Sequence, residues 1–202
     1  MTDAPDLGAL SRIAAELRAA VADIDRADPL VLIDGRSGSG KSTLARMLQT
    51  PGTELLAMDD IYPGWDGLAA ASGILATDIL APRAAGEPGS WLRWDWEAGS
   101  FAEAHELAAG TPLIVEGAGS VTPSTAPLAD VTVWLDAPTA LRRDRALARD
   151  GETYAPHWDR WAAQEQRHIE EHDPRALARY VYDVAEPSIA VTSPSSRYPS
   201  HS

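Results

Sequence analysis

The sequence predicts an α/β domain in which a parallel sheet of about five strands is covered by helices on both faces. Three observations carry this. Short continuous apolar runs, the mark of strands buried on both faces, alternate with segments of helical spacing. A glycine-rich loop falls between the first of those runs and the helix that follows it. The chain of 202 residues, 45% hydrophobic and 23% charged, is long enough for one substantial core, and no linker or internal repeat divides it, so residues 1–192 read as a single domain.

Taken in order, Leu7, Leu10, Ile13, Leu17, Val21 and Ile24 recur three and four apart, which predicts an amphipathic helix over 7–25. Leu30-Val31-Leu32-Ile33 is the first buried strand, ending at Asp34-Gly35, and a helix over 41–50 follows the loop. Glu54–Met58, Leu113–Val115 and Val131–Leu135 are further strands, while Leu68–Leu80 and Thr139–Arg149 have helical spacing. Between Pro82 and Gly110 the pattern dissolves into Gly, Pro, Trp and charge, which reads as an excursion from the sheet on the substrate side. Pro156 opens a helix over His157–His172, with Trp158, Trp161 and Ile169 on its packing face. Either Tyr180–Val184 or Ile189–Val191 supplies a last strand, and residues 193–202 have the composition of a flexible tail.

Charge excludes several function classes. With 17 Lys+Arg against 30 Asp+Glu the net charge is −13, which repels a nucleic-acid polymer. No cysteine is present, so disulfides, thiolate metal sites and thiol nucleophiles are ruled out. No apolar run approaches the length of a membrane span, and the start MTDAPD lacks the features of a signal peptide. The expectation is a cytoplasmic protein, with a homo-oligomer compatible with everything above. Of the 17 basic residues 16 are Arg; the one lysine is Lys41, and there is no Asn.

That lysine lies in Gly35-Arg36-Ser37-Gly38-Ser39-Gly40-Lys41-Ser42, which matches G-x-x-x-x-G-K-[ST] between a strand and a helix. Glycines let such a loop curl so that its N–H groups converge on phosphate oxygens at the positive end of the helix dipole. Lys41 then reaches the terminal phosphates, Ser42 ligates Mg²⁺, and the nucleotide-binding residues run from Gly35 through Thr43. A guanine-reading Asn/Thr-Lys-x-Asp loop is absent, because Lys41 is already committed, so ATP is the expected nucleotide. The fold expected is therefore a three-layer α/β P-loop domain with the loop following the first strand.

In doubly wound sheets ligands bind beyond the carboxyl ends of the strands. Leu55–Met58 delivers Asp59-Asp60 there, Leu113–Val115 delivers Glu116, and Val131–Leu135 delivers Asp136, which reads as a cap before Pro138. Mg·ATP needs carboxylates near the γ-phosphate, and a hydroxyl acceptor needs a base. Asp59 and Glu116 fit these needs, Asp60 being the alternative base.

Ile33–Ser42, Met58-Asp59-Asp60-Ile61-Tyr62, Trp94-Asp95, Ile114–Gly117, and Arg145 with Arg149-Asp150 occur in an order that resembles the uridine kinase family of P-loop kinases, over about residues 30–150. The resemblance implies that Asp59 is the base toward the acceptor hydroxyl, with Tyr62 on the substrate side. It further implies a P-loop fold of the nucleoside and nucleotide kinase type, that Glu116 organises Mg²⁺ beside the metal candidates Ser42 and Asp59, that Asp95 holds ribose hydroxyls, and that Arg145 and Arg149 of a lid within 139–172 clamp the phosphates. Ile61 in place of an aromatic, Trp96-Glu97 after Asp95, and a shortened Asp150-Gly151-Glu152 lid segment point to a rebuilt acceptor pocket.

Seven tryptophans accompany a single phenylalanine. Trp94 is the candidate to stack on a base or sugar, or else one face of a strand; Trp65 follows the proposed base closely, and Trp158 and Trp161 read as helix packing. Asp95 alternatively caps a turn beside Arg93. Arg142, Arg143, Arg145 and Arg149 share one helix that is either salt-bridged and solvated or a phosphate lid. His168 and His172, four apart with no third ligand, read as surface residues. The function expected is ATP-dependent phosphorylation of a small-molecule hydroxyl, with a ribonucleoside (uridine or cytidine) as leading acceptor. The alternatives are a kinase for another small alcohol and a nucleotide-binding regulatory ATPase.

Overall fold

A computed structural model describes residues 7–184. The segment Ile189–Val191 and the tail 193–202 lie outside them. Five strands form the main sheet: β1 (Leu30–Asp34), β2 (Glu54–Ala57), β5 (Leu113–Glu116), β6 (Val131–Asp136) and β7 (Tyr180–Asp183). Their order is β2-β5-β1-β6-β7, and every neighbouring pair is parallel. β3 (Gly89–Asp95) and β4 (Ser100–Leu107) form a separate antiparallel hairpin. The helices are α1 (Leu7–Ala22), α2 (Lys41–Leu48), α3 (Leu68–Ile74), α4 (Ala81–Ala84), α5 (Thr139–Tyr154), α6 (Trp158–His172) and α7 (Pro174–Leu177). This is the α/β architecture expected from the sequence.

The alternation of side chains along β1 assigns its neighbours. Leu30 and Leu32 point into a core shared with Leu56, Val115, Leu68, Leu75, Trp158 and Trp161, so α3 and α6 cover that face. Val31 and Ile33 point the other way, into a core with Leu10, Ile13, Leu17, Leu44 and Leu48 of α1 and α2. All five β1 residues are buried because the strand is central and covered on both sides. Burying each large aliphatic side chain contributes about 1.5–3 kcal/mol, which explains why the apolar runs were continuous rather than alternating.

Several boundaries differ from expectation. The helix over 68–80 continues to Ala84 through a wider π-helical stretch, Leu75–Leu80, and Pro82 is accommodated in the first turn of α4. The excursion at 82–110 is the β3–β4 hairpin, whose strands are mostly solvated and so carry no apolar run. α5 extends past Arg149 to Tyr154, across a break at Gly151 (φ 60°, ψ −139°). The buried stripe of α6 includes Gln164, Glu165 and His168. His168 is therefore not a surface residue: it is 4% exposed, with its Nε2 3.0 Å from the buried Asp34 carboxylate. A helix face that pairs with polar groups of a loop gives no apolar period, which is why spacing misassigned it.

Candidate active site

The loop after β1 is held in shape by close packing. Gly38 has φ +80°, and a Cβ there would lie 2.1 Å from the Arg142 carbonyl oxygen, so only glycine lets the start of α5 sit on the loop. Gly35 meets the Leu135 carbonyl in the same way, at 2.0 Å. Gly40, also at positive φ, is the N-cap of α2 and leaves the helix N-terminus facing the loop. Lys41 is 8% exposed, and its Nζ donates to the Arg36 carbonyl at 3.1 Å. Ser39 Oγ is buried without a hydrogen-bond partner among the described residues.

Behind the loop, Asp34 accepts from Gly35 N (2.6 Å), Gly119 N (3.1 Å) and Val121 N (2.9 Å) in addition to its contact with His168. One buried carboxylate thus ties the exit of β1 to the exit of β5 and to α6.

A cleft of about 790 Å³ opens over the carboxyl ends of the strands. Lys41, Ser42 and Thr43 line it from the first turn of α2, Asp59 from the exit of β2, and Glu116 from β5. Arg145, Arg149 and Asp150 line it from α5. Asp59 is exposed toward the cleft and set among protein on its other sides. Its pKa is raised, first by this loss of solvent, with Arg149 and Lys41 acting against the rise. Glu116 is 6% exposed and is raised for the same reason, while Lys41 and the Ser42 hydroxyl beside it oppose the shift. Two carboxylates held reluctantly ionised beside one hydroxyl form an oxygen-rich set suited to a hard divalent cation. Asp60 does not line the cleft, so of the two adjacent acids Asp59 alone faces the other site residues. Arg149 donates through Nε (2.8 Å) and Nη2 (2.6 Å) to Asp150.

The acceptor side differs from expectation. Asp95 accepts from Glu97 N (3.0 Å) and Ala98 N (2.9 Å), with Arg93 3.5 Å away; it caps the β3–β4 turn, and these bonds hold its pKa low. Trp94 packs edge-on against Phe101. Neither Asp95 nor Trp94 lines the cleft; Trp96, in the turn just beyond the end of β3, does. Tyr62 lines the cleft with its ring only: it is 1% exposed and its hydroxyl donates to the Ala118 carbonyl at 2.7 Å. Arg36 is turned outward onto Gln166 of α6.

Other residues form that wall instead. Trp96 Nε1 donates to the Asp59 carbonyl at 2.9 Å. Trp65 stacks on Tyr154 (centroids 5.4 Å, 10°) and on His157 (4.3 Å, 14°), and lies 4.8 Å from Trp96. Trp161, expected only to pack, is both buried and part of the cleft wall. The proximity of Trp65 to Asp59 in sequence signalled its place; nothing in the spacing signalled Tyr154, which α5 reaches only because the helix continues beyond Arg149.

No protein-family model matches the chain, and no curated protein does. Solved structures do. A possible uridine kinase from Bacillus stearothermophilus is 22% identical with a TM-score of 0.59, covering 86% of this chain and 99% of its own. A proposed fructose transport system kinase from Silicibacter sp. TM1040 is 19% identical with a TM-score of 0.48, covering 83% of this chain and 93% of its own. The first likeness shows a P-loop kinase-like fold.

Proposed function

We propose that the chain is a kinase that transfers the γ-phosphoryl group of Mg·ATP to a hydroxyl of a small molecule. The observation that carries this is the convergence in one cleft of the phosphate loop, its single lysine, and two strand-end carboxylates. The name of the B. stearothermophilus neighbour agrees with the reading. The loop amides and Lys41 hold the β- and γ-phosphates, and Arg145 and Arg149 approach from the lid helix to offset charge as the phosphoryl group moves. For Arg149 this means exchanging Asp150 for phosphate oxygens. Ser42, Glu116 and Asp59 fit Mg²⁺, which when bound neutralises phosphate charge. Asp59 accepts the proton of the acceptor hydroxyl as its oxygen bonds to phosphorus, and the β–γ bridging oxygen leaves with ADP.

The acceptor side of the cleft is walled by Trp65, Trp96 and Tyr154, of which the exposed Trp96 offers a flat surface to a ring-bearing alcohol, with a ribonucleoside the leading case. Its ribose would be read by groups other than Asp95, which is committed to its turn. A coupled ADP-release screen over ribonucleosides, deoxyribonucleosides and other small alcohols tests the reading. Acceptor-dependent ADP release supports it, and slow hydrolysis indifferent to every alcohol would instead favour a regulatory ATPase.

A further inference from the structure

Helix α6 carries polar residues where its packing face should be apolar. Gln164, Glu165 and His168 are each 5% exposed or less, and burying such groups is costly unless they are bonded. Their partners all belong to the cleft and its supports. Gln164 Nε2 donates to the Trp65 carbonyl at 2.6 Å, and His168 meets Asp34. Glu165 Oε1 accepts the backbone N–H of Ser37 at 2.6 Å, a charge-assisted length. The Ser37 carbonyl in turn accepts from Arg142 Nη1 at 3.2 Å. The outer arm of the phosphate loop is therefore gripped from α5 and α6 by two residues that the loop motif does not contain.

A carboxylate is an unexpected choice beside an anion site, since its charge opposes phosphate. Burial pushes its pKa up, against the Ser37 amide, Lys41, Arg142 and Arg36. A leucine would fill the same helix position without either cost. What leucine could not do is accept the Ser37 N–H.

We propose that Glu165 is a positioning residue of the nucleotide site, which by accepting the Ser37 amide sets the curvature of the phosphate loop so that its remaining amides converge on the phosphates. The inference rests on the phosphate-loop reading above and adds to it a determinant on a distant helix. The action lies in the hydrogen bond rather than in the charge, so an amide oxygen at the same place is an adequate substitute.

Calorimetric titration of the full chain with Mg·ATP and Mg·ADP tests this in Glu165→Gln, Glu165→Leu and Lys41→Ala beside the unsubstituted protein, with thermal melts of each. Glu165→Leu should weaken both nucleotides by about tenfold, the upper scale of one lost hydrogen bond. Glu165→Gln should stay within about threefold of the unsubstituted protein, a rescue that a general packing role would not produce. If Glu165→Leu destabilises the fold, the Gln variant still decides: affinity as poor as that of Leu, or tighter than the parent, makes charge the agent and overturns the proposal. Unchanged affinity in Glu165→Leu overturns it too. Should the parent bind no nucleotide in a Lys41-dependent way, the phosphate-loop reading falls and this inference with it; should the parent bind and lose binding in Lys41→Ala while Glu165→Leu is unaffected, only this inference falls.

Discussion

Replacing Asp34 by alanine removes the acceptor for four donors at once: the amides of Gly35, Gly119 and Val121, and His168 Nε2. Asp34 is fully buried, so water does not readily take its place. A buried donor left without a partner costs about 1–3 kcal/mol, and four of them give about 4 kcal/mol even at the low end. That is a large fraction of the roughly 5–15 kcal/mol that holds a domain folded. Urea unfolding followed by tryptophan fluorescence should show the midpoint falling by about 2 M, taking a slope of about 2 kcal/mol per M. Asp34→Asn should cost less, because one oxygen can still serve Gly35 and Gly119, which share Oδ1, while Val121 loses its acceptor. Nucleotide affinity should fall in both, since the same carboxylate fixes the entry to the phosphate loop. An alanine variant with a midpoint within about 0.3 M of the parent, or an asparagine variant as damaged as alanine, would refute the reasoning.

Asp59→Asn should lower kcat by about 10²-fold while leaving Mg·ATP affinity within a few-fold, read by steady-state kinetics and titration; collapse of ATP affinity with kcat preserved would make Asp59 chiefly a metal holder. The same variant should melt higher than the parent at pH 7 without nucleotide, because an acid whose pKa is raised by enclosure destabilises the fold when ionised. Asp59, Asp60, Glu116 and Glu165 are all raised above reference values of 3.8 and 4.5, so the folded state binds more protons than the unfolded one. Nucleotide-free stability should accordingly rise as the pH falls from neutrality through the raised values of these acids. It should then fall once the pH drops below the reference values of 3.8 and 4.5, because Asp28, Asp66, Asp95 and Glu103 are held low by hydrogen bonds in the folded chain and the unfolded chain takes up protons first. Melting temperatures that climb steadily from pH 5 to 8 would contradict this.

The central sheet was legible because burial on both faces writes itself as continuous apolar runs: Leu30–Ile33 and Val131–Leu135 could be little else. The loop was legible because phosphate binding demands Gly at positions such as Gly38, where backbone meets backbone, and a lysine at 41. Asp59 and Glu116 followed from their place at strand ends. The acceptor wall was harder to read, since alternation in a two-stranded hairpin says which residues share a face but not which face meets the cleft. Trp94 and Trp96 are two residues apart, yet β3 ends at Asp95, so the turn rather than the strand alternation places Trp96, and only Trp96 lines the cleft. Glu165 and His168 were hidden for a different reason. Their partners, Ser37 and Asp34, lie some 130 residues away, and no local period marks a polar residue that is buried for the sake of a distant amide.

Mg·ATP binding and acceptor-dependent ADP release, measured side by side in the parent and in Lys41→Ala, test the central claim most directly. Lys41 faces the cleft with its Nζ on a loop carbonyl and adds little to the core, so the variant should keep its fold by circular dichroism. The parent should bind Mg·ATP and release ADP only when a suitable alcohol is present, and the folded Lys41→Ala variant should lose phosphoryl transfer. Turnover in Lys41→Ala equal to that of the parent would contradict the assignment of the loop, and with it the kinase reading.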